Sequence, residues 1–207
     1  MSTFESRFEF VGHTALPKFA ETRIMMMPVD LASGRLPDSL RHYQDTFNCL
    51  RGLAPCLEGI GYLTIDEKSV PSGQTHRRAG LHVDGIYRNG RGSWGGGWGA
   101  VGAGMLTVSS HAGCRAWRGT FDPWPGDEGD CDHLRHQLGH ATFFAAGDVY
   151  WLDGLCVHES MPMPEDTERQ FVRLSMPSDA PWFDGYTENP LGVQPTGPIL
   201  ARREFMG

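Results

Sequence analysis

The sequence has few basic residues and no long apolar run, and each shortage excludes a class of protein. Its 18 Lys and Arg stand against 25 Asp and Glu, a formal net charge of -7. That balance argues against a general nucleic-acid binder, because the polyanion would be repelled overall. No apolar run reaches the ~20 residues needed to span a bilayer, and the N-terminal MSTFESRFEFVGH lacks the apolar core of a secretory signal. We expect neither a nucleic acid nor a membrane as a partner.

Paired cysteines are also missing from the sequence. The five cysteines are odd in number and widely scattered, and no C-x-x-C pair occurs. Reduced thiols are typical of cytosolic proteins, whereas disulfide frameworks belong to oxidising compartments. We therefore predict a cytoplasmic protein.

Glycine and proline, by contrast, are abundant, with 27 Gly and 14 Pro among 207 residues. Both residues penalise helix interiors, while a hydrophobic content of 40% is too high for a disordered chain. The length suits one buried core. The composition therefore predicts one mainly β, turn-rich domain over residues 1–207.

Local patterns predict one helix among several strands. Apolar residues recur at helical spacing over about 37–53, namely Leu40, Tyr43, Phe47 and Leu50. Strand-like segments, some with an internal turn, are expected at 23–32, 60–70, 105–118, 141–160 and 169–176. The first strand should end near Pro28. Residues 1–20 are expected to form an irregular arm or an edge element. The C-terminal tail is expected to form an irregular surface wrap, with packing of Trp182, Phe183 and Tyr186 across the barrel mouth as the alternative.

Two imidazoles and one carboxylate form the sequence pattern that most clearly indicates a metal-binding or catalytic site. His82 and Asp84 flank Val83, and His158 follows much later, after the stretch GDVYWLDGLCV. On a strand, residues two apart point to the same face, so both side chains could reach one ion, with His158 arriving from another strand. Two His and one carboxylate on one face of a metal suit non-haem Fe(II) chemistry with O₂.

In this order the residues resemble the Fe(II)/2-oxoglutarate-dependent dioxygenases of the double-stranded β-helix fold. The resemblance covers roughly residues 60–176 and consists of H-x-D, a long gap, the distal His and an Arg beyond it. It implies a mainly β jelly roll, cupin-like, with one or a few flanking helices. It also implies that His82, Asp84 and His158 are catalytic residues and bind Fe(II).

An arginine on the last strand would hold the co-substrate in such an enzyme. A guanidinium makes bidentate, charge-assisted hydrogen bonds with a carboxylate. Arg169, eleven residues after the distal His, has the spacing seen in several subfamilies, while Arg173 with Ser175 resembles the R-x-S motif of another branch. Both arginines lie on the same face of the predicted strand, so the choice between them stays open. The second arginine could bind a carboxylate of the substrate.

The resemblance also implies a role for a hydroxyl group on an earlier strand. The hydroxyl group of Tyr62 or of Thr64 could form a hydrogen bond with 2-oxoglutarate. The reaction implied is oxidation of a small organic molecule, with an amino-acid-like compound as one candidate class, by Fe(II), O₂ and 2-oxoglutarate, with release of succinate and CO₂. Hydroxylation is the default outcome, and desaturation or ring closure stays open.

Other readings of the same residues stay open. A cupin-like metalloenzyme would use the triad without 2-oxoglutarate, and a barrel that only binds a ligand would need no metal. A rival zinc set lies within ten residues, at Cys131, His133, His136 and His140. Trp94 and Trp98 belong either to a core hairpin or to a flap over the site. A group of basic residues surrounds H-x-D in the sequence and either forms a solvated face or attracts an anionic substrate. Its members are Arg77, Arg78, Arg88 and Arg91.

Overall fold

The computed structural model describes residues 3–85, 104–126, 129–178 and 181–200. The predictions made for Trp94 and Trp98, and for Arg88 and Arg91, lie outside these residues. No helix in the described ranges is long and apolar enough to cross a bilayer.

The described residues are mainly β. Their strands are β1 (Phe4–Ser6), β2 (Phe8–His13), β3 (Arg23–Asp30), β4 (Ile60–Val70), β5 (Gly104–Ser109), β6 (Cys114–Trp117), β7 (Gly119–Phe121), β8 (Thr142–Phe143), β9 (Asp148–Asp153), β10 (Val157–Ser160), β11 (Thr167–Ser175), β12 (Trp182–Phe183) and β13 (Ile199–Leu200). The helices are a 3-10 helix at Asp38–Tyr43 that runs into α1 (Gln44–Gly52), and a 3-10 helix at Asp132–Gln137.

Two antiparallel sheets carry the architecture. The larger one has six strands in the order β2-β9-β5-β11-β4-β3, and the smaller one has the order β10-β6-β8. Two short pairs, β1-β7 and β12-β13, complete the strand pairing of the described residues. Large antiparallel sheets with few helices are compatible with a jelly-roll, cupin-like fold, so the predicted fold class is confirmed.

The helix covers the outer face of the larger sheet, as its periodicity predicts. Phe47 and Leu50 of α1 are buried in one apolar cluster with Val172 and Leu174 of β11. Since successive strand residues point to opposite faces, the odd-numbered residues of β11 are turned inward. The inner face of the larger sheet is therefore free to build a site.

A buried carboxylate ties the helix to this sheet. Glu67 of β4 accepts hydrogen bonds from the Tyr43 hydroxyl and from the Gln170 amide, the latter at 2.7 Å. It also accepts from the backbone N–H groups of Ala20 and Thr22 at 2.8 and 2.7 Å. Burial alone would raise the pKa of Glu67, but these hydrogen bonds outweigh burial and lower it.

The strands at the two ends of the chain differ in part from the prediction. The N-terminal segment forms β1 and β2, and β2 is an edge strand of the larger sheet. Near the C-terminus Trp182 and Phe183 are buried against Met26 and Tyr62, so this part of the tail belongs to the core. The local pattern could not show this, because the two segments that meet are far apart in the chain.

Strand β3 continues past Pro28 to Asp30 and contains an irregularity that the sequence does not signal. Its register against β4 shifts between Ile24 and Met27. Within the shift, Met26 has a φ of 50°, a left-handed conformation that is uncommon for a residue other than glycine. The bulge turns the buried side chain of Met26 toward the inside of the fold.

Candidate metal centre

His82 and Asp84 lie in a short extended segment that packs beside β10. The backbone N–H of His82 donates to the carbonyl of His158 at 2.9 Å, and that of His158 donates back to His82 at 3.0 Å. Leu81 and Val83, which alternate with the two polar residues, are buried in a separate apolar cluster. Because Leu81 and Val83 are buried on one side, His82 and Asp84 point to the other side, into the interior between the sheets. The H-x-D alternation therefore places both ligands on one face although the segment is not a regular strand.

The three predicted ligands converge. One ligand atom from each of His82, Asp84 and His158 lies within 4.8 Å of the other two. The Nε2 atom of His82 is 3.9 Å from Asp84 Oδ1, and that of His158 is 3.9 Å from Asp84 Oδ2. Within the described ranges this is the group of His, Cys, Asp and Glu side chains that could bind a metal ion.

Both imidazoles are oriented by backbone carbonyls. Nδ1 of His82 lies 2.8 Å from the Gly80 carbonyl, and Nδ1 of His158 lies 2.9 Å from the Cys156 carbonyl. A carbonyl can only accept, so Nδ1 carries the proton and the lone pair on Nε2 faces the other ligands. Burial, reinforced by the nearby His158, lowers the pKa of His82 to about 4, so this ring is neutral at neutral pH.

Asp84 is held as a carboxylate by the polar and charged side chains around it. Burial alone would raise its pKa, but His158 and Arg173 outweigh burial and lower it. Arg173, itself 4% exposed, donates from Nη1 to Asp84 Oδ2 at 3.1 Å. Arg173 is thus committed to a predicted metal ligand.

The triad opens into a cavity of about 100 Å³ between the two sheets. Strand β11 lines the cavity with Arg169, Phe171 and Arg173, which are the inward residues of its predicted alternation. An apolar part of the lining comes from Met105, Leu152 and Phe144. The cavity therefore joins the candidate metal ligands, two arginines and an apolar wall.

Arg169 is a buried cation that makes no salt bridge with the described residues. It is 2% exposed, and neither its Nε nor its Nη1 has a hydrogen-bond partner among the described residues. The guanidinium lies over Gly113, where a Cβ atom would come within 2.8 Å of Cζ. Burial lowers the pKa of Arg169 to about 10, so it remains charged at neutral pH, and a buried unpaired charge is costly unless a ligand satisfies it.

Three other predicted site residues are not among the described residues that line the cavity. Tyr62 accepts a hydrogen bond from the backbone N–H of Thr196 at 3.2 Å. Thr64 accepts one from the backbone N–H of Met26 at 3.2 Å. Ser175 is fully buried, and its hydroxyl has no partner within the described ranges. The structure therefore places Arg169 and Arg173 in the cavity that holds the triad, with Arg173 in contact with Asp84, but does not place these three hydroxyls there.

The rival zinc set does not converge on one point. Cys131 is buried among apolar side chains, and burial raises the pKa of its thiol to about 12. His133, His136 and His140 are exposed on and after the 3-10 helix. Of the basic residues near H-x-D, Arg77 and Arg78 line the cavity, and Arg77 donates to Asp66 at 2.7 Å.

Two contributors to the site carry no local signal that could reveal them. Gly113 lies under Arg169, although its segment reads only as a turn between two strands. Met26 reaches the site only through the bulge in β3, and its sulfur accepts a hydrogen bond from Arg173 at 3.5 Å. Both depend on pairings between strands that are distant in the chain.

The fold and the site define a β-rich protein with a candidate His-Asp-His metal centre. No protein-family model and no curated protein matches the chain. Among solved structures, the crystal structure of AviO1 from Streptomyces viridochromogenes Tue57 is similar at 16% identity and a TM-score of 0.37. The match covers 83% of this chain and 76% of that chain. A likeness this distant bears on neither the metal nor the substrate.

Proposed function

We propose that this protein is a non-haem Fe(II)- and 2-oxoglutarate-dependent oxygenase that oxidises a small organic molecule. One observation carries the proposal. A single cavity holds two histidines and a carboxylate with converging ligand atoms, and also a buried arginine whose Nε and Nη1 have no hydrogen-bond partner among the described residues. The two histidines and the carboxylate fit a metal ion, and the buried arginine fits the carboxylate of a ligand.

The donor set fits iron. Nε2 of His82, Nε2 of His158 and one oxygen of Asp84 would bind the ion, since both Nδ1 atoms are already used by backbone carbonyls. Two His and one carboxylate leave coordination positions open, which is the arrangement of Fe(II) oxygenases. Iron, 2-oxoglutarate and O₂ would together supply the oxidising power, with release of succinate and CO₂.

Arg169 is the better placed of the two arginines for the co-substrate. Arg173 already donates to Asp84 and to Met26 and leaves only its Nε unpartnered, whereas both Nε and Nη1 of Arg169 have no partner in the described part of the chain. A carboxylate bound to Arg169 would supply charge-assisted hydrogen bonds, which are stronger than those between neutral groups. Met105, Leu152 and the other apolar wall residues line the same cavity.

The remaining features of the proposal are a small-molecule substrate, a single domain and a cytoplasmic location. A small substrate is supported by the cavity, which is lined by side chains of both sheets. Arg77 on its wall would attract a substrate with an anionic group, although it is also paired with Asp66. The five cysteines are free, which supports a reducing compartment.

An anaerobic titration tests the function. Apo protein given Fe(II) and then 2-oxoglutarate should develop a weak visible charge-transfer band, with one equivalent of each bound. His82→Ala should abolish metal binding and the band, while His136→Ala, at an exposed histidine outside the cavity, should leave both intact. Arg169→Ala should retain iron but weaken binding of 2-oxoglutarate.

Two outcomes would contradict the proposal in different ways. If Fe(II) binds but 2-oxoglutarate gives no band and no heat of binding, the protein is a metalloprotein that does not use the oxo-acid. If His82→Ala binds Fe(II) as the parent protein does, the triad is not the metal site.

A further inference from the structure

The two oxygens of Asp84 have different surroundings. Oδ1 lies 3.9 Å from Nε2 of His82, and no hydrogen bond to it is found among the described residues. Oδ2 lies 3.9 Å from Nε2 of His158 and accepts a hydrogen bond from Arg173 at 3.1 Å. One oxygen is therefore engaged by a cation of the protein and the other is left for a ligand.

The guanidinium of Arg173 is also held at its second terminal nitrogen, Nη2. Its Nη2 donates to the sulfur of Met26 at 3.5 Å, in the buried interior. The side chain is 4% exposed, so water competes little for the guanidinium. Since a thioether is a weak acceptor, this contact directs the guanidinium rather than neutralising it, and Asp84 remains its anionic partner.

Met26 is held in a strained backbone conformation by two neighbours. Its N–H donates to the hydroxyl of Thr64 at 3.2 Å, and its carbonyl accepts from Nε1 of Trp182 at 2.8 Å. Its φ of 50° is costly for a side chain of this size, and such conformations persist where the surroundings impose them. Thr64 and Trp182 thus place the sulfur that directs Arg173.

We propose that Arg173, directed by Met26, is a positioning residue that holds Asp84 so that only Oδ1 is offered to a metal. A carboxylate can bind a metal through one oxygen or through both. Binding through both would use one more coordination position, which the triad must leave open for other ligands. The inference rests on the proposed metal site and names a function for Arg173, Met26 and Thr64 within it.

Co(II) is a suitable probe because its visible absorption depends on coordination number and geometry. The test compares Co(II) spectra of the parent protein, Arg173→Met and Met26→Leu, followed by titration of each Co(II) protein with 2-oxoglutarate. Met27→Leu is the matched control, at a neighbouring methionine of equal burial that packs in the outer cluster. Arg51→Met is the matched arginine control, on α1 with its guanidinium bound to backbone carbonyls.

The expected result is a changed Co(II) spectrum in Arg173→Met, and a smaller change in the same direction in Met26→Leu. Affinity for Co(II) should fall by about tenfold or more in Arg173→Met, the range for residues that orient a metal ligand, and binding of 2-oxoglutarate to its Co(II) form should weaken. Both controls should match the parent protein. A role in stability alone would lower the melting temperature and leave the spectrum unchanged.

An Arg173→Met spectrum equal to that of the parent protein would overturn the proposal. If that variant does not unfold cooperatively, Met26→Leu decides, and an unchanged spectrum there would overturn the proposal. If the parent protein binds Co(II) but not 2-oxoglutarate, the proposed function fails, while the spectra still decide the role of Arg173.

Discussion

Replacing Gly113 by alanine should weaken binding of 2-oxoglutarate without touching a ligand of either the metal or the co-substrate. An ideal Cβ at this position would lie 2.8 Å from Cζ of Arg169, 2.9 Å from Nη2 and 3.1 Å from Nε. Contacts between such atoms are normally about 3.5–4.0 Å. The guanidinium must therefore move by about 0.7 Å or more, because the backbone of Gly113 is fixed by a hydrogen bond from Met161 at 2.9 Å.

The size of the effect follows from what Arg169 would do. A displacement of this size is enough to lose one well-aligned hydrogen bond to a carboxylate, and a bond between charged groups contributes about 1.5–3 kcal/mol. The dissociation constant of 2-oxoglutarate should therefore rise by roughly 10- to 150-fold. Stability should change little, since Gly113 is not among the glycines with a positive φ and the atoms in conflict end a flexible side chain.

The assay is titration calorimetry of the Co(II) protein with 2-oxoglutarate, preceded by a separate measurement of the affinity for Co(II). Gly139→Ala is the control, because a Cβ there meets nothing within 4 Å and its φ is also not positive. Metal affinity should be the same in both variants and in the parent protein. Only Gly113→Ala should lose affinity for the oxo-acid.

Unchanged affinity in Gly113→Ala would refute the reasoning. It would mean that Arg169 is not held against Gly113 when the ligand binds, or that another residue binds the carboxylate. A parallel loss of Co(II) affinity would also refute it, because Gly113 would then act on the triad.

Two further predictions concern stability. The hydrogen bonds that lower the pKa of Glu67 stabilise the fold only while the group is charged. As the pH is lowered, the contribution of Glu67 to the free energy of unfolding in urea should begin to decrease near the ordinary Glu pKa of ~4.3, and it should disappear as the pH passes through the lower folded-state pKa. Glu67→Gln should lack this contribution. An equal pH dependence in both proteins would contradict the assignment. Leu50→Ala, at a fully buried position, should cost about 3 kcal/mol in urea unfolding, whereas Leu57→Ala at a 46% exposed position should cost little. Similar losses in both variants would be inconsistent with the packing of α1.

The parts of the molecule that sequence alone predicts are those with a local period. The helix at 37–53 is predicted because four apolar residues repeat at helical spacing, and the structure places them in one cluster with β11. The inward face of β11 follows from alternation. The triad is predictable for a related reason, since H-x-D places two ligands on one side of an extended segment.

Pairings between distant segments set the limit of prediction. Tyr62 and Thr64 are on the inner face of β4, as the alternation requires, but the bulge in β3 and the C-terminal segment occupy their hydroxyls. Nothing local in the TRIMMMPVDL stretch indicates that Met26 adopts a left-handed conformation. The conformation is imposed by neighbours from β4 and β12.

Sequence spacing does not decide which of the two arginines of β11 would bind 2-oxoglutarate, whereas their positions in the sheet distinguish them. Four residues along a strand separate their Cα atoms by roughly 13 Å, so they face different parts of one cavity. Arg173 lies opposite Thr64 and Thr107 and reaches Asp84. Arg169 lies opposite Lys68 and has no ion pair within the described ranges. Because a buried charge needs an opposite charge, the end of the cavity at Arg169 is where an anionic ligand is expected.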